Sequence, residues 1–239
     1  MHAKGRSNAR HLHRPHCRRR RQVPRLPLHP AIRRGPGLVV EQEIFGINEN
    51  VRFACEQYAR EGFVALAPDL FWRIEPNLDL DYSEAGWKRA LQLFQTFDVH
   101  QGVKDIGSTI RALRARGQVT GKVGCIGYCL GGKLAYLTAA RTDCDVSVGY
   151  YGVGIEVALG ERVNIKRPLL LHIAEGDQLV PPAAQAKVKD GLKGVAGVEI
   201  YSYPKVDHAF ARHHGDHYDQ VAAELANART LAFLRKHLA

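Results

Sequence analysis

Cys129 stands between glycines in Gly127-Tyr128-Cys129-Leu130-Gly131-Gly132, which makes it the first candidate in this chain for covalent chemistry. The apolar run Lys122-Val123-Gly124-Cys125-Ile126 before it reads as a buried strand, and Lys133 to Ala140 after it reads as a helix. A cysteine in a strand-turn-helix unit lies over a helix N-terminus, whose partial positive charge favours the nucleophilic thiolate. Glycine suits positions 127 and 131 because a sharp turn presses its neighbours against other backbone, where a Cβ would clash. Taken alone, the same six residues could be one Gly-rich turn among many.

A thiol nucleophile needs a base and a group that orients the base. Pro168 to Ala174 is a strand-like run followed by Glu175-Gly176-Asp177, and Val198 to Tyr203 alternates like a strand before Pro204-Lys205-Val206-Asp207-His208. Cys129, Asp177 and His208 thus fall at the carboxyl ends of three successive expected strands, where open parallel sheets place their active sites. Nucleophile, acid, then histidine is the chain order of the α/β-hydrolase fold, here with Cys in the usual place of Ser. His208 is the expected general base and later acid, since imidazole titrates near neutrality. Asp177 is expected to orient it. Asp207 and Glu175 are competing carboxylates, and order and register favour Asp177. For His172, His213, His214 and His217 solvent or structural roles are expected.

The elements that must position these residues alternate. A strand begins at Leu38-Val39-Val40, and a helix over 48–61 follows, with Asn48 as N-cap and Gly62 just past its end. Phe63 to Ala67 is the next strand, and helices over 83–97 and 99–116 precede the Cys129 unit. Val146 to Tyr150 is a strand, a helix over 182–192 joins the last two strands, and 219–237 is a terminal helix. The expected architecture is α/β, a mostly parallel doubly wound sheet with helices on both faces.

Gln42-Glu43-Ile44-Phe45-Gly46-Ile47-Asn48, Ala67-Pro68-Asp69-Leu70, the Cys129 hexapeptide, Val148-Gly149-Tyr150-Tyr151-Gly152-Val153-Gly154 and His208-Ala209-Phe210-Ala211-Arg212 together resemble the dienelactone hydrolase (carboxymethylenebutenolidase) family, in family order from about position 38 to the C-terminus. The resemblance implies that Glu43 pairs with Cys129 and draws its proton when substrate enters, which would protect the resting thiol from oxidation. It also implies that the backbone N–H groups of Ile44 and Leu130 form the oxyanion hole. Arg212 would hold a substrate carboxylate. A second carboxylate-binding arginine of such enzymes aligns nearest to Trp87, with Lys88 and Arg89 beside it, and a family aromatic becomes Leu91. Glu41 departs too, standing inside a buried strand where a charge is costly unless paired.

The chain carries a formal net charge of +10 from 34 Lys and Arg against 24 Asp and Glu. Eleven of those cations and no acid lie in residues 1–37, an Arg/Pro-rich tail, which leaves positions 38–239 close to neutral as a single domain. The tail admits three readings. An Arg-rich, acid-poor presequence is opposed by helix-breaking Pro15, Pro24, Pro27, Pro30 and Pro36, and the run Arg18 to Arg21 could be a nucleic-acid arm. A disturbed start or frame, replacing the N-terminal strands expected from the resemblance, is the third, and in each case the tail is expected to be poorly ordered.

No stretch approaches the roughly 18–20 apolar residues of a membrane span. Five cysteines show no metal-ligand spacing and no even disulfide set, so no metal and a reducing cytoplasm are expected. The reading that results is a cofactor-free cysteine hydrolase acting on a small carboxylated lactone of the dienelactone type through an acyl-enzyme, with nucleic acid not expected as a partner. The alternatives are a related esterase or thioesterase, a catalytically dead hydrolase fold, or a nucleic-acid-associated protein.

Overall fold

In the computed structural model, which describes residues 34–239, six strands form one parallel sheet. They are β1 Gly35–Glu41, β2 Val64–Leu66, β3 Val119–Tyr128, β4 Ser147–Tyr150, β5 Leu169–Ala174 and β6 Val198–Tyr203, in the order β2-β1-β3-β4-β5-β6. The helices are α1 Glu49–Arg60, α2 Glu84–Thr96, α3 Val99–Arg114, α4 Leu130–Arg141, α5 Pro182–Leu192 and α6 Gln220–Leu238. A single 3₁₀ turn, Leu159–Asn164, lies between β4 and β5. The chain winds outward from β1 in one direction to β2 and in the other through β3, so the ends of β1 and β3 flank the switch point where such sheets bind ligands.

Period-2 geometry splits the apolar strands between two cores. Val39, Leu66 and Leu171 point to the face covered by α3, α4 and α5, where they meet Ile106, Leu134 and Val188. Leu38, Val40 and Leu170 point to the other face, where Val51 and Tyr58 of α1 and Phe233 of α6 cover them. Each fully buried Leu or Ile contributes about 1.5–3 kcal/mol. The helix starts are set by side chains that accept from orphan amides. Asn48 caps Val51 N (3.4 Å), Ser83 caps Gly86 N (3.1 Å), Asp98 caps His100 N (2.9 Å) and Asp219 caps Ala222 N (2.8 Å).

β1 begins at Gly35, three residues before the expected Leu38, so Gly35-Pro36-Gly37 belong to the sheet, with a register shift against β3 between Gly35 and Gly37. The expectations for residues 1–33 lie outside the described residues. Glu41, at the end of β1, is fully buried, and neither carboxylate oxygen has a hydrogen-bond partner. Burial holds its carboxyl well above the ordinary carboxylate range, which favours the neutral acid over a paired charge. His172 is also buried, bonded to the Tyr203 hydroxyl (2.8 Å) and to Thr230 Oγ1 (2.9 Å), and burial pushes its pKa down to about 3. It is a neutral tie between β5, β6 and α6.

Candidate active site

The turn from β3 into α4 places Cys129 at φ 56° and ψ −112°, a left-handed conformation that costs a residue with a Cβ of order 1–3 kcal/mol. The glycines around it are required by contact. A Cβ on Gly127 would lie 2.0 Å from Gly131 O, one on Gly131 would lie 2.4 Å from Glu41 O, and one on Gly132 would lie 2.4 Å from Tyr150 O. The elbow is therefore wedged between the ends of β1 and β4, with Cys129 as the N-cap residue of α4.

His208 and Asp177 meet beside it. His208 Nδ1 is 2.8 Å from Asp177 Oδ2, and the other Asp177 oxygen accepts from the amides of Leu179 (2.8 Å) and Val180 (3.2 Å). The competing carboxylates are otherwise engaged: Asp207 accepts from the amide of His208 (2.6 Å), and Glu175 faces Lys189 at 3.9 Å. His208 Nε2 is buried with no partner among the described residues. Burial opposes the imidazolium, but the Cys129 sulfur and the Asp177 carboxylate outweigh it and raise the pKa to about 10.

The turn after β1 carries the remaining groups. Gln42 fixes it, with its side-chain oxygen accepting from Leu70 N (2.9 Å) and its carbonyl accepting from Gly131 N (3.1 Å). The backbone N–H groups of Ile44 and of Leu130, directly after Cys129, have no hydrogen-bond acceptor among the described residues. Glu43 is buried and bound to buried Arg212: Arg212 Nε donates to Oε2 at 3.0 Å and Nη2 donates to Oε1 at 3.0 Å. The guanidinium lies 4.3 Å over the Tyr82 ring and 5.5 Å over that of Phe45. Burial works against this cation, and the Glu43 carboxylate more than compensates, raising its pKa.

A cavity of about 380 Å³ opens beside these groups, lined by Tyr82, Trp87, Leu179, His208, Arg212 and His217 among others. From α2 only Trp87 faces it; Arg89 is ion-paired with Glu75, and Leu91 is exposed. The structure thus brings together Cys129, Asp177, His208, Glu43, Ile44, Leu130 and Arg212, and among the described residues no second arginine lines the cavity. Gln42 and Tyr82 were not singled out for these positions by sequence reasoning, whereas Trp87 was marked as the position nearest the missing second arginine. Gln42 could have been, since an uncharged polar residue at the end of a buried strand needs partners.

The sequence profile of the Dienelactone hydrolase family matches residues 25–238. A relative from Azospirillum brasilense, named by inference as a carboxymethylenebutenolidase, is 45 % identical over 205 residues, covering 85 % of this chain and 88 % of that one. The carboxymethylenebutenolidase of Pseudomonas putida is 39 % identical over 206 residues, covering 86 % and 87 %. A crystal structure from Klebsiella pneumoniae, named by inference as a dienelactone hydrolase, superposes with a TM-score of 0.74 at 26 % identity, covering 84 % of this chain and 87 % of that one. With this fold, this elbow and these relatives, the chain belongs to the dienelactone hydrolase family and is a hydrolase of lactone or ester bonds.

Proposed function

We propose that the protein hydrolyses a small carboxylated lactone of the dienelactone type through a Cys129 acyl-enzyme. The observation that carries this reading is the buried Glu43–Arg212 pair beside Cys129, in which an internal carboxylate occupies a guanidinium built for two parallel hydrogen bonds. A substrate carboxylate can take the place of Glu43 on Arg212. Glu43, released, then accepts the Cys129 proton, and the thiolate attacks the lactone carbonyl. The carbonyl oxygen becomes an oxyanion held by the Ile44 and Leu130 amides. Its collapse breaks the ring C–O bond, and the leaving oxygen takes up the proton that Glu43 holds. Water then attacks the thioester, giving a proton to His208, which returns it to Sγ as the acid leaves. Asp177 keeps Nδ1 of His208 protonated throughout.

A second reading, an esterase for uncharged aryl esters, is favoured by one observation: Trp87 rather than a second cation faces the cavity from α2. Comparing kcat/KM for cis- and trans-dienelactone with that for neutral aryl esters separates the two, in wild type and in Arg212→Lys. The lactone reading expects a preference for the charged substrate. It also expects Arg212→Lys to weaken that substrate alone by about 1.5–3 kcal/mol, the range for a charged hydrogen bond. Equal effects on charged and neutral substrates would give Arg212 a role in supporting the His208 loop and favour the esterase.

A further inference from the structure

Two buried, unpartnered side-chain atoms belong to this site. One is His208 Nε2, whose partner is the proton it moves; the other is the hydroxyl of Tyr151, which the mechanism above does not use. Tyr151 is only 2 % exposed and follows β4, the neighbour of β3 on the side away from β1. Its backbone has φ 37°, a left-handed conformation seldom taken by a bulky residue and found mostly where function demands it. Its amide is tied to His172 O at 2.8 Å, and its ring meets His208 edge to face at 5.0 Å. Burial first, then the Glu43 carboxylate, and in smaller measure Cys129 and Tyr82, raise its phenol pKa against the opposing pull of Arg212. The group therefore stays protonated and is available only as a donor or a weak neutral acceptor.

During ring opening the substrate carries negative charge on its carboxylate and develops it on the carbonyl oxygen and on the leaving oxygen. The carboxylate has Arg212, and the carbonyl oxygen has the amides of Ile44 and Leu130. The leaving oxygen takes its proton from Glu43 and has no second donor among these, whereas the buried Tyr151 hydroxyl beside His208 has no partner among the described residues. We propose that Tyr151 is a further catalytic residue, donating a hydrogen bond to the leaving oxygen as the C–O bond breaks. No proton is transferred by Tyr151, so the balance of the reaction is unchanged. The inference rests on the acyl-enzyme reading above.

The test is Tyr151→Phe, assayed by kcat/KM on esters that share one acyl group but differ in leaving group, from p-nitrophenyl to alkyl, together with the lactone. Loss of a donor aimed at developing charge costs about 10²-fold or more. That loss is expected for the alkyl ester and the lactone, with little change for the p-nitrophenyl ester, whose leaving oxygen needs no help. Comparing substrates within one preparation cancels any misfolded fraction. Because the hydroxyl is unpartnered at rest, its removal should leave Tm unchanged or higher. A parallel loss across the series, no loss at all, or a fall in Tm would each overturn the proposal. Wild-type protein that hydrolyses neither lactone nor ester would overturn the acyl-enzyme reading with it. Wild type active on both, with an unchanged leaving-group dependence in the variant, would overturn Tyr151 alone.

Discussion

Cys129 is buried, but Cys129→Ala keeps the Cβ and removes only the sulfur, so the change in volume is small. Cys129→Ala should keep its Tm while kcat/KM falls by more than about 10⁴-fold, beyond the loss of acid-base help alone. Retention of a thousandth of the activity would remove it as nucleophile. Glu43 behaves differently, because its carboxylate is the counter-charge of a buried guanidinium. Glu43→Gln should slow single-turnover acylation and change its pH profile. It should also lower stability by about 3–5 kcal/mol, since it leaves Arg212 buried without a partner. From sequence alone there was no reason to expect that second effect. An unchanged acylation rate and profile would take Glu43 out of the mechanism.

Among the elements, the elbow is the most constrained. Gly131→Ala would drive a Cβ to 2.4 Å from Glu41 O and should cost about 1–3 kcal/mol or more, with loss of activity. Gly117→Ala, where a Cβ meets nothing, serves as the neutral control in the same urea titration. An equal midpoint for both variants would show that the turn can relax. These glycines were legible from sequence once Asp177 and His208 followed them in hydrolase order, since alone they read equally well as one Gly-rich turn among many. The strands and helices were legible for a similar reason: α5 and β6 have the expected bounds, and Asn48, Ser83 and Asp219 mark helix starts by their capping chemistry. The start of β1 was not, since Gly35-Pro36-Gly37 has the composition of a turn and joins the sheet only through β3. Nor was the Glu43–Arg212 pair, whose members are 169 residues apart and meet only in three dimensions. Tyr151 appeared in the sequence only as part of a resemblance, with no signal that its hydroxyl would be stranded.

For the molecule as a whole, the raised pKa of buried Glu41 sets a pH dependence of stability. Its carboxyl binds a proton in the folded state well above the pH at which the unfolded chain gives it up. Folding is therefore favoured fully below the ordinary carboxylate pKa, and stability is lost as pH rises from there toward the raised folded value, by up to about 1.4 kcal/mol per pH unit. Glu41→Gln should flatten this slope and leave the variant the more stable at pH 8. Parallel stability curves for wild type and variant would mean that Glu41 is ionised in the fold.

The span of the Glu43–Arg212 pair also bears on how the enzyme comes into being. β1 lies inside the sheet although it is the first of the described strands, and the residue that neutralises the charge beside it is made 169 residues after Glu43. A nascent chain released from the ribosome before Arg212 would carry Glu43 with nothing to answer it, and closing so long a loop is slow compared with forming local helices. In refolding from urea, far-UV circular dichroism should recover before the binding of a carboxylated lactone does. Recovery of both on one timescale would show that the last segment docks together with the first.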